Sequence, residues 1–339
     1  SVVVEPWDEH NQALVGNAHP EDWVNPEPAD RYNLVVIGGG TAGLVTAIGS
    51  AGLGARVALI ERELMGGDCL NFGCVPSKAL IRAARAAADV RTASEYGVEV
   101  PSGARVNFPA VMERMRRLRA RISKADSVWR CRQSGVDVFL GQARFSGPDS
   151  IEAAGKTLCF SKAVIATGAH AAAPPIPGLA EAGYLTNETV FSLTELPRRL
   201  AVIGAGPIGC ELSQAFARFG SQVYLVEAMH GVMPNEDRDA AQILLRSLIR
   251  DGITLLCCGG DLKVGKGDGG KRLTVDSHGQ HYDITVDEIL VGVGRRPNVE
   301  HLDLDKAGVA FDTSGVTVND RLQTTNPRVY AAGDVCPGY

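Results

Sequence analysis

No apolar run in this 339-residue chain approaches the roughly 18 residues that a membrane-spanning helix requires. The N-terminus lacks a basic segment followed by an apolar core, so no secretory leader is expected. Positive charge is not in excess. A formal net charge of −5 argues against a nucleic-acid partner or an acidic membrane surface. Cysteine is too sparse, at eight in the whole chain, for a secreted disulfide scaffold. These absences point to the cytoplasm. What is there is 45% hydrophobic and 22% charged, the balance of a globular protein, in a chain long enough for two domains.

Two cysteines, four residues apart, sit in the run Gly66-Gly67-Asp68-Cys69-Leu70-Asn71-Phe72-Gly73-Cys74-Val75-Pro76-Ser77-Lys78, which leads into a helical stretch from Ala79 to Val90. A thiol on a loop entering a helix lies near unsatisfied N–H groups and the positive dipole end, which favour thiolate. Lys78 adds a positive charge. A structural disulfide has little reason to close so short a loop. Redox chemistry is the favoured reading. Buried thiols or half of a metal site are the alternatives, and no partner Cys/His pair at ligand spacing is evident for the latter.

Upstream, the apolar run Leu34-Val35-Val36-Ile37 reads as a strand. It leads to Gly38-Gly39-Gly40-Thr41-Ala42-Gly43, a helical stretch from Leu44 to Ala51, and a second strand, Arg56 to Ile60, closed by Glu61. This is the G-x-G-x-x-G layout of a dinucleotide fold. Its glycines permit a tight turn under a pyrophosphate, and an acidic residue awaits the ribose. The unit recurs: Leu200 to Ile203, then Gly204-Ala205-Gly206-Pro207-Ile208-Gly209, a helix to Phe219, and the strand Gln222 to Val226 ending at Glu227. A chance glycine cluster would not reproduce the whole layout twice. Two dinucleotide sites are therefore expected, one for a flavin and one for a nicotinamide.

The remaining stretches are less specific. Residues 1–30 show no lasting period and read as an extended arm, pinned by Trp7 and Trp23. Val111, Met115, Leu118, Ile122 and Trp129 form an apolar helical stripe, and Arg114, Arg116, Arg117, Arg119 and Arg121 read as its solvated faces. Pro174, Pro175, Pro177 and Gly178 mark a linker. The segment ending at Cys257-Cys258 reads as a buried strand with two core thiols rather than a metal pair, and no metal ligands are assigned.

The order of these motifs resembles the flavin-dependent pyridine nucleotide–disulfide oxidoreductases. It runs from the first fingerprint through C-x4-C-V-P-S-K, Ala166-Thr167-Gly168, the second fingerprint and Gly294-Arg295-Arg296-Pro297-Asn298 to Ala332-Gly333-Asp334. The resemblance covers residues 31–339, and its wording is most like the mercuric reductase branch, with dihydrolipoamide dehydrogenase-like enzymes as the rival. It implies an α/β fold of two Rossmann-like domains: FAD-binding over 31–175 and 296–339, and NAD(P)-binding over 176–295. It places the FAD pyrophosphate on Gly38, Gly40 and Gly43, the adenosine ribose on Glu61, and the phosphates by Gly67 and Asp68. Gly141 and Ala143 would lie near the adenine, with Thr167, Gly168 and Asp334 on the rest of the cofactor. NAD(P) would lie on Gly204, Gly206 and Gly209, with Gly294 and Arg295 lining its pocket.

By the same resemblance, Cys69 would meet the substrate, Cys74 would face the flavin, and Lys78 would reach the flavin edge near Glu211. Electrons would pass from the nicotinamide through FAD to a Cys69–Cys74 disulfide, and on to a small disulfide or Hg(II). A flavin-binding electron-transfer module without a disulfide substrate is the reading from another class. Glu227 suits the ribose hydroxyls of NAD, so NADH is expected over NADPH. Asp68 stands where the family usually has Thr, and a carboxylate there would raise the Cys69 pKa unless it points away. The family's C-terminal interface domain, with its His-Glu pair and its homodimer contact, is not visible before Tyr339, so this chain is expected to be incomplete for full turnover.

Overall fold

The structure, a computed structural model, describes residue 2 and residues 4–337. The chain opens with helix α1 (Glu9–Ala18) and strand β1 (Tyr32–Ile37), then α2 (Thr41–Gly52) and β2 (Val57–Glu61). Helices α3 (Gly67–Asn71), α4 (Cys74–Thr92), α5 (Phe108–Ser123) and α6 (Val128–Gln133) follow. Strands β3 (Val136–Leu140), β4 (Ala143–Gly147), β5 (Ser150–Ala153), β6 (Lys156–Ile165) and β7 (Ala169–Ala171) lead to the short helix α7 (Leu179–Ala182). The second fingerprint gives β8 (Arg199–Ile203), α8 (Pro207–Phe219) and β9 (Gln222–Val226), then α9 (Arg238–Arg250) and β10 (Thr254–Leu256). Next come β11 (Gly260–Gly267), β12 (Gly270–Ser277), β13 (Gln280–Val286), β14 (Glu288–Val291) and β15 (Arg295–Pro297). The last strands are β16 (Phe311–Asp312), β17 (Gly315–Val316) and β18 (Val329–Ala331).

Two compact units divide the chain. The first holds Ser1–Val75, Arg116–His170 and Arg295–Tyr339; the second holds Pro76–Met115 and Ala171–Gly294. The proline-rich linker and the G-R-R-P-N motif mark both late crossings. The segment Pro76–Met115 groups with the second unit, and the ring of Phe108 gives the reason. It lies 5.9 Å and 5.8 Å from Phe216 and Phe219 on α8.

In the first unit, β3, β2, β1, β6 and β18 pair in parallel in that order. Strand β6 outlasts this sheet and turns its first half into an antiparallel ladder with β5, which pairs β4. The central strands are apolar on both faces, as a sheet covered on both sides demands. Val35, Val36, Ala58, Leu59, Ala163 and Ile165 are all fully buried. In the second unit β10, β9, β8 and β14 form a parallel sheet, with β11, β12 and β13 as an antiparallel one beside it in sequence. Each unit thus contains a strand, glycine turn and helix in succession, and the two Rossmann-like folds are present.

The N-terminal residues depart from the extended arm expected of them. Asp8 caps α1, its Oδ1 accepting from the Asn11 N–H at 2.9 Å, and Leu14, Val15 and Ala18 are buried. The apolar face is only three residues wide, too little to register as a period before the fold covers it. Trp23 does anchor the segment, edge-on to Trp129 at 5.1 Å and donating from Nε1 to the Val138 carbonyl. Trp7 is 55% exposed and anchors nothing comparable.

Candidate active site

The two glycine turns are built alike, and sterics explain the residues. A Cβ on Gly43 would lie 1.8 Å from the Gly38 carbonyl oxygen, and one on Gly209 would lie 1.8 Å from that of Gly204. Gly38 (φ +108°) and Gly204 (φ +101°) occupy backbone space that L side chains rarely adopt. Helices α2 and α8 start after Gly40 and Gly206, neither of which supplies a side-chain cap. Their first N–H groups therefore suit an external anion.

The carboxylates repeat too. Glu61 accepts from the Gly39 N–H at 2.6 Å and the Glu63 N–H at 2.7 Å. Glu227 accepts from Ala205 at 2.8 Å and Met229 at 2.9 Å. Each carboxylate is held beside its turn by backbone donors and keeps acceptor capacity for hydroxyl groups. Burial pushes Glu61 above the usual carboxylate range against those two hydrogen bonds. Beside the first turn lies a cleft lined by Gly38, Glu61, Gly141, Ala143, Thr167 and Asn298 among others. A dinucleotide fits both donor sets.

The cysteine loop lies against the first turn. A Cβ on Gly67 would lie 2.6 Å from the Gly40 Cα, so only glycine lets these backbones touch. Cys69, on α3, hydrogen-bonds the side chains of Cys74 and Thr41, the latter the first residue of α2. Both cysteines are thiols, Cys69 half-buried and Cys74 exposed at the start of the 19-residue α4. Burial, then the neighbouring Cys74, pushes the Cys69 thiol up. The helix-terminus effect expected to favour its thiolate is overcome by burial, because α3 is only five residues long and adds a weak dipole.

Asp68, the residue before Cys69, meets a guanidinium. Its Oδ2 accepts from Arg295 Nη1 at 3.1 Å, and Arg295 Nε lies 3.5 Å from Asp334 Oδ2. Arg295 also donates to the Ala169 carbonyl at 2.6 Å. The contacts of Arg295 within the first unit are thus to Asp68, Asp334 and Ala169. The chain crosses to the first unit at that residue, and its guanidinium balances the two carboxylates there. Asp334 is carried to the same place, since a Cβ on the preceding Gly333 would lie 3.4 Å from that of Ala42.

Thr167 and Gly168 are locked by a residue that sequence reasoning quoted but did not assign. Asn298 donates from Nδ2 to the Thr167 carbonyl at 2.8 Å, and its backbone N–H donates to the Gly168 carbonyl at 2.9 Å. Within the second unit, Lys78 Nζ lies 3.0 Å and 3.1 Å from the Glu211 carboxylate oxygens. A further missed support is Arg119, only 2% exposed, which donates to the Asn71 carbonyl and to Asn11 Oδ1, both at 2.7 Å. Arg116 is also buried and pairs with Asp8 at 2.5 Å. Two of the five arginines assigned to solvated faces are therefore interior. Of the two cysteines assigned to the core, Cys257 is buried and Cys258 is exposed, because the chain leaves β10 before it.

The site thus combines two glycine-turn folds with a cysteine pair docked on the first. Residues 32–339 match the family described as pyridine nucleotide-disulphide oxidoreductase, and the chain belongs to that family. It is similar to a mercuric reductase of Staphylococcus aureus, 35% identical over 308 residues, which cover 91% of this chain and 56% of that protein. A dihydrolipoyl dehydrogenase of Acholeplasma laidlawii is 33% identical over 311 residues, with 90% of each covered. Among solved structures, the HOCl-induced flavoprotein disulfide reductase RclA from Escherichia coli superimposes with a TM-score of 0.76 at 31% identity. That match covers 91% of this chain and 67% of that one. The chain spans about half the length of the mercuric reductases it matches. Among the described residues, no helix is long and apolar enough to cross a membrane.

Proposed function

We propose that this chain carries the electron path of an FAD-dependent, NADH-using reductase whose redox pair is Cys69–Cys74. FAD, held by the first turn, Glu61, Thr167 and Asp334, supplies the two-electron link between a nicotinamide and the protein disulfide. The observation that carries the reading is the contact of Cys69 with Thr41, at the first residue of the fingerprint helix. The disulfide takes up two electrons and two protons to become two thiols. Cys69, as thiolate, attacks one sulfur of the substrate disulfide and expels the first product thiol. Cys74 then attacks Cys69, the second product thiol leaves, and the protein disulfide is restored.

Asp68 is paired with the Arg295 guanidinium, and burial and Cys74 raise the Cys69 thiol. The Glu227 carboxylate, held by Ala205 and Met229, favours the paired ribose hydroxyls of NAD and repels a 2′-phosphate. The substrate class is a small disulfide or Hg(II), the latter bound by both thiolates before reduction. The test is NADH-dependent turnover of lipoamide, glutathione disulfide and Hg(II) by the FAD-loaded protein. Turnover of one of these with NADH, lost in Cys69→Ser while flavin reduction persists, is expected. Equal turnover of every substrate in Cys69→Ser contradicts the reading, and a higher kcat/KM for NADPH contradicts the coenzyme assignment.

A further inference from the structure

Outside the redox loop, the second unit gathers four metal-ligating side chains on its surface. One atom each from His230, Cys257, Cys258 and His278 lie within 4.8 Å of one another. The Cys257 Sγ is 3.2 Å from His278 Nε2, and the Cys258 Sγ is 3.5 Å from His230 Nδ1. With Zn–S near 2.3 Å and Zn–N near 2.0–2.1 Å, tetrahedral coordination puts neighbouring S and N ligands roughly 3.6 Å apart. These two pairs, at 3.2 Å and 3.5 Å, are near that separation. The imidazole rings stand edge to face, with centroids 6.2 Å apart and 88° between their planes, so they present nitrogens without stacking.

We propose that these four residues form a Cys2His2 site for a zinc-class divalent cation. Two thiolates and two imidazoles, gathered within 4.8 Å of one another, are the donor set that selects Zn²⁺ over harder cations.

The backbone shows how residues far apart in sequence arrive together. His230 follows the end of β9, the cysteines follow β10, and His278 tips the hairpin between β12 and β13. Three hydrogen bonds stitch these segments. The Cys258 N–H donates to the Met229 carbonyl at 3.0 Å, the Gly259 N–H to the Glu227 carbonyl at 2.9 Å, and Ser277 Oγ to the Cys257 carbonyl at 2.6 Å.

Adjacent residues of an extended strand point to opposite faces, which would normally separate two vicinal thiols. Cys258 escapes this by taking φ +55°, and His278 takes φ +50° at the hairpin tip. Positive φ in non-glycine residues costs free energy and is maintained where the surroundings gain by it. Here it turns two of the four side chains toward one point. The site lies within the second unit and uses neither Cys69 nor Cys74, so it stands apart from the proposed electron path.

The test uses the reduced chain, freed of metal with a chelator and titrated with Zn²⁺ against a chromophoric competitor. One tightly bound equivalent is expected. Co²⁺ in its place should give thiolate charge-transfer bands and the intense d–d absorption of tetrahedral coordination. The Cys69→Ser/Cys74→Ser double variant should retain both signals. In Cys258→Ser or His230→Ala, binding should weaken by more than the roughly 10–100-fold that loss of a supporting partner costs. Both positions are exposed, so folding is not at issue. No stoichiometric binding, an octahedral cobalt spectrum, or binding lost with Cys69 and Cys74 but kept without Cys258 would each overturn the proposal.

Discussion

At the scale of single residues, the proposed chemistry rests on a thiol whose pKa its surroundings push up. Burial and Cys74 both raise Cys69 above its ordinary value. Reactivity that depends on its thiolate is therefore low at neutral pH and grows as pH rises past that shifted value. In Cys74→Ser the neighbour's contribution disappears, so the pH profile of iodoacetamide labelling at Cys69 should move to lower pH. An upward move would refute the assignment. Arg295→Met makes the opposite prediction. It leaves the Asp68 carboxylate uncompensated beside Cys69, so labelling there should shift to higher pH, and an unchanged profile would show that Asp68 does not reach the thiol. The cysteine pair and the glycine turn stood out by their spacing, while the other residues of this site came from the family resemblance. The partner of Asp68 was not legible, because Arg295 lies 227 positions away and no local pattern pairs the two.

At the scale of elements, α3 is held by parts that sequence periodicity misassigned. Arg119 on α5 joins the carbonyl of Asn71, at the end of α3, to Asn11 on α1. Burial and Arg116 hold its pKa down to about 10, which still leaves a cation at neutral pH. Arg119→Met should leave two buried acceptors unpaired and cost about 2–4 kcal/mol in urea unfolding. A change within about 0.5 kcal/mol, the range of ordinary surface substitutions, would show that the arginine is not a structural clamp. The helix itself was legible from its apolar stripe. What could not be read was that two arginines on its other faces meet acceptors 48 and 108 residues earlier in the chain. The N-terminal helix was hidden for a related reason: its buried face gains meaning only from the elements that cover it.

At the scale of the molecule, one design is used twice, and the two copies should fail separately. Gly43→Ala drives a methyl into the Gly38 carbonyl, and Gly209→Ala does the same at Gly204. Overpacking against rigid backbone costs about 1–3 kcal/mol or more. The first change should abolish flavin retention while NADH binding persists. The second should abolish NADH binding while the flavin stays. Loss of both ligands in either variant would contradict the assignment of one turn to each. This duplication was the most legible feature of the sequence, since turn, helix, strand and acid recur at one spacing in both halves. The Cys2His2 cluster was the least legible, because its ligands come from three loops.

The most direct test of the central claim is an anaerobic titration of the FAD-loaded protein with NADH. Two-electron reduction should produce a long-wavelength thiolate–flavin absorption that Cys74→Ser lacks. Full bleaching of the flavin after one equivalent, with no such band and no difference in Cys74→Ser, would contradict the pairing of Cys69 and Cys74 as the redox centre.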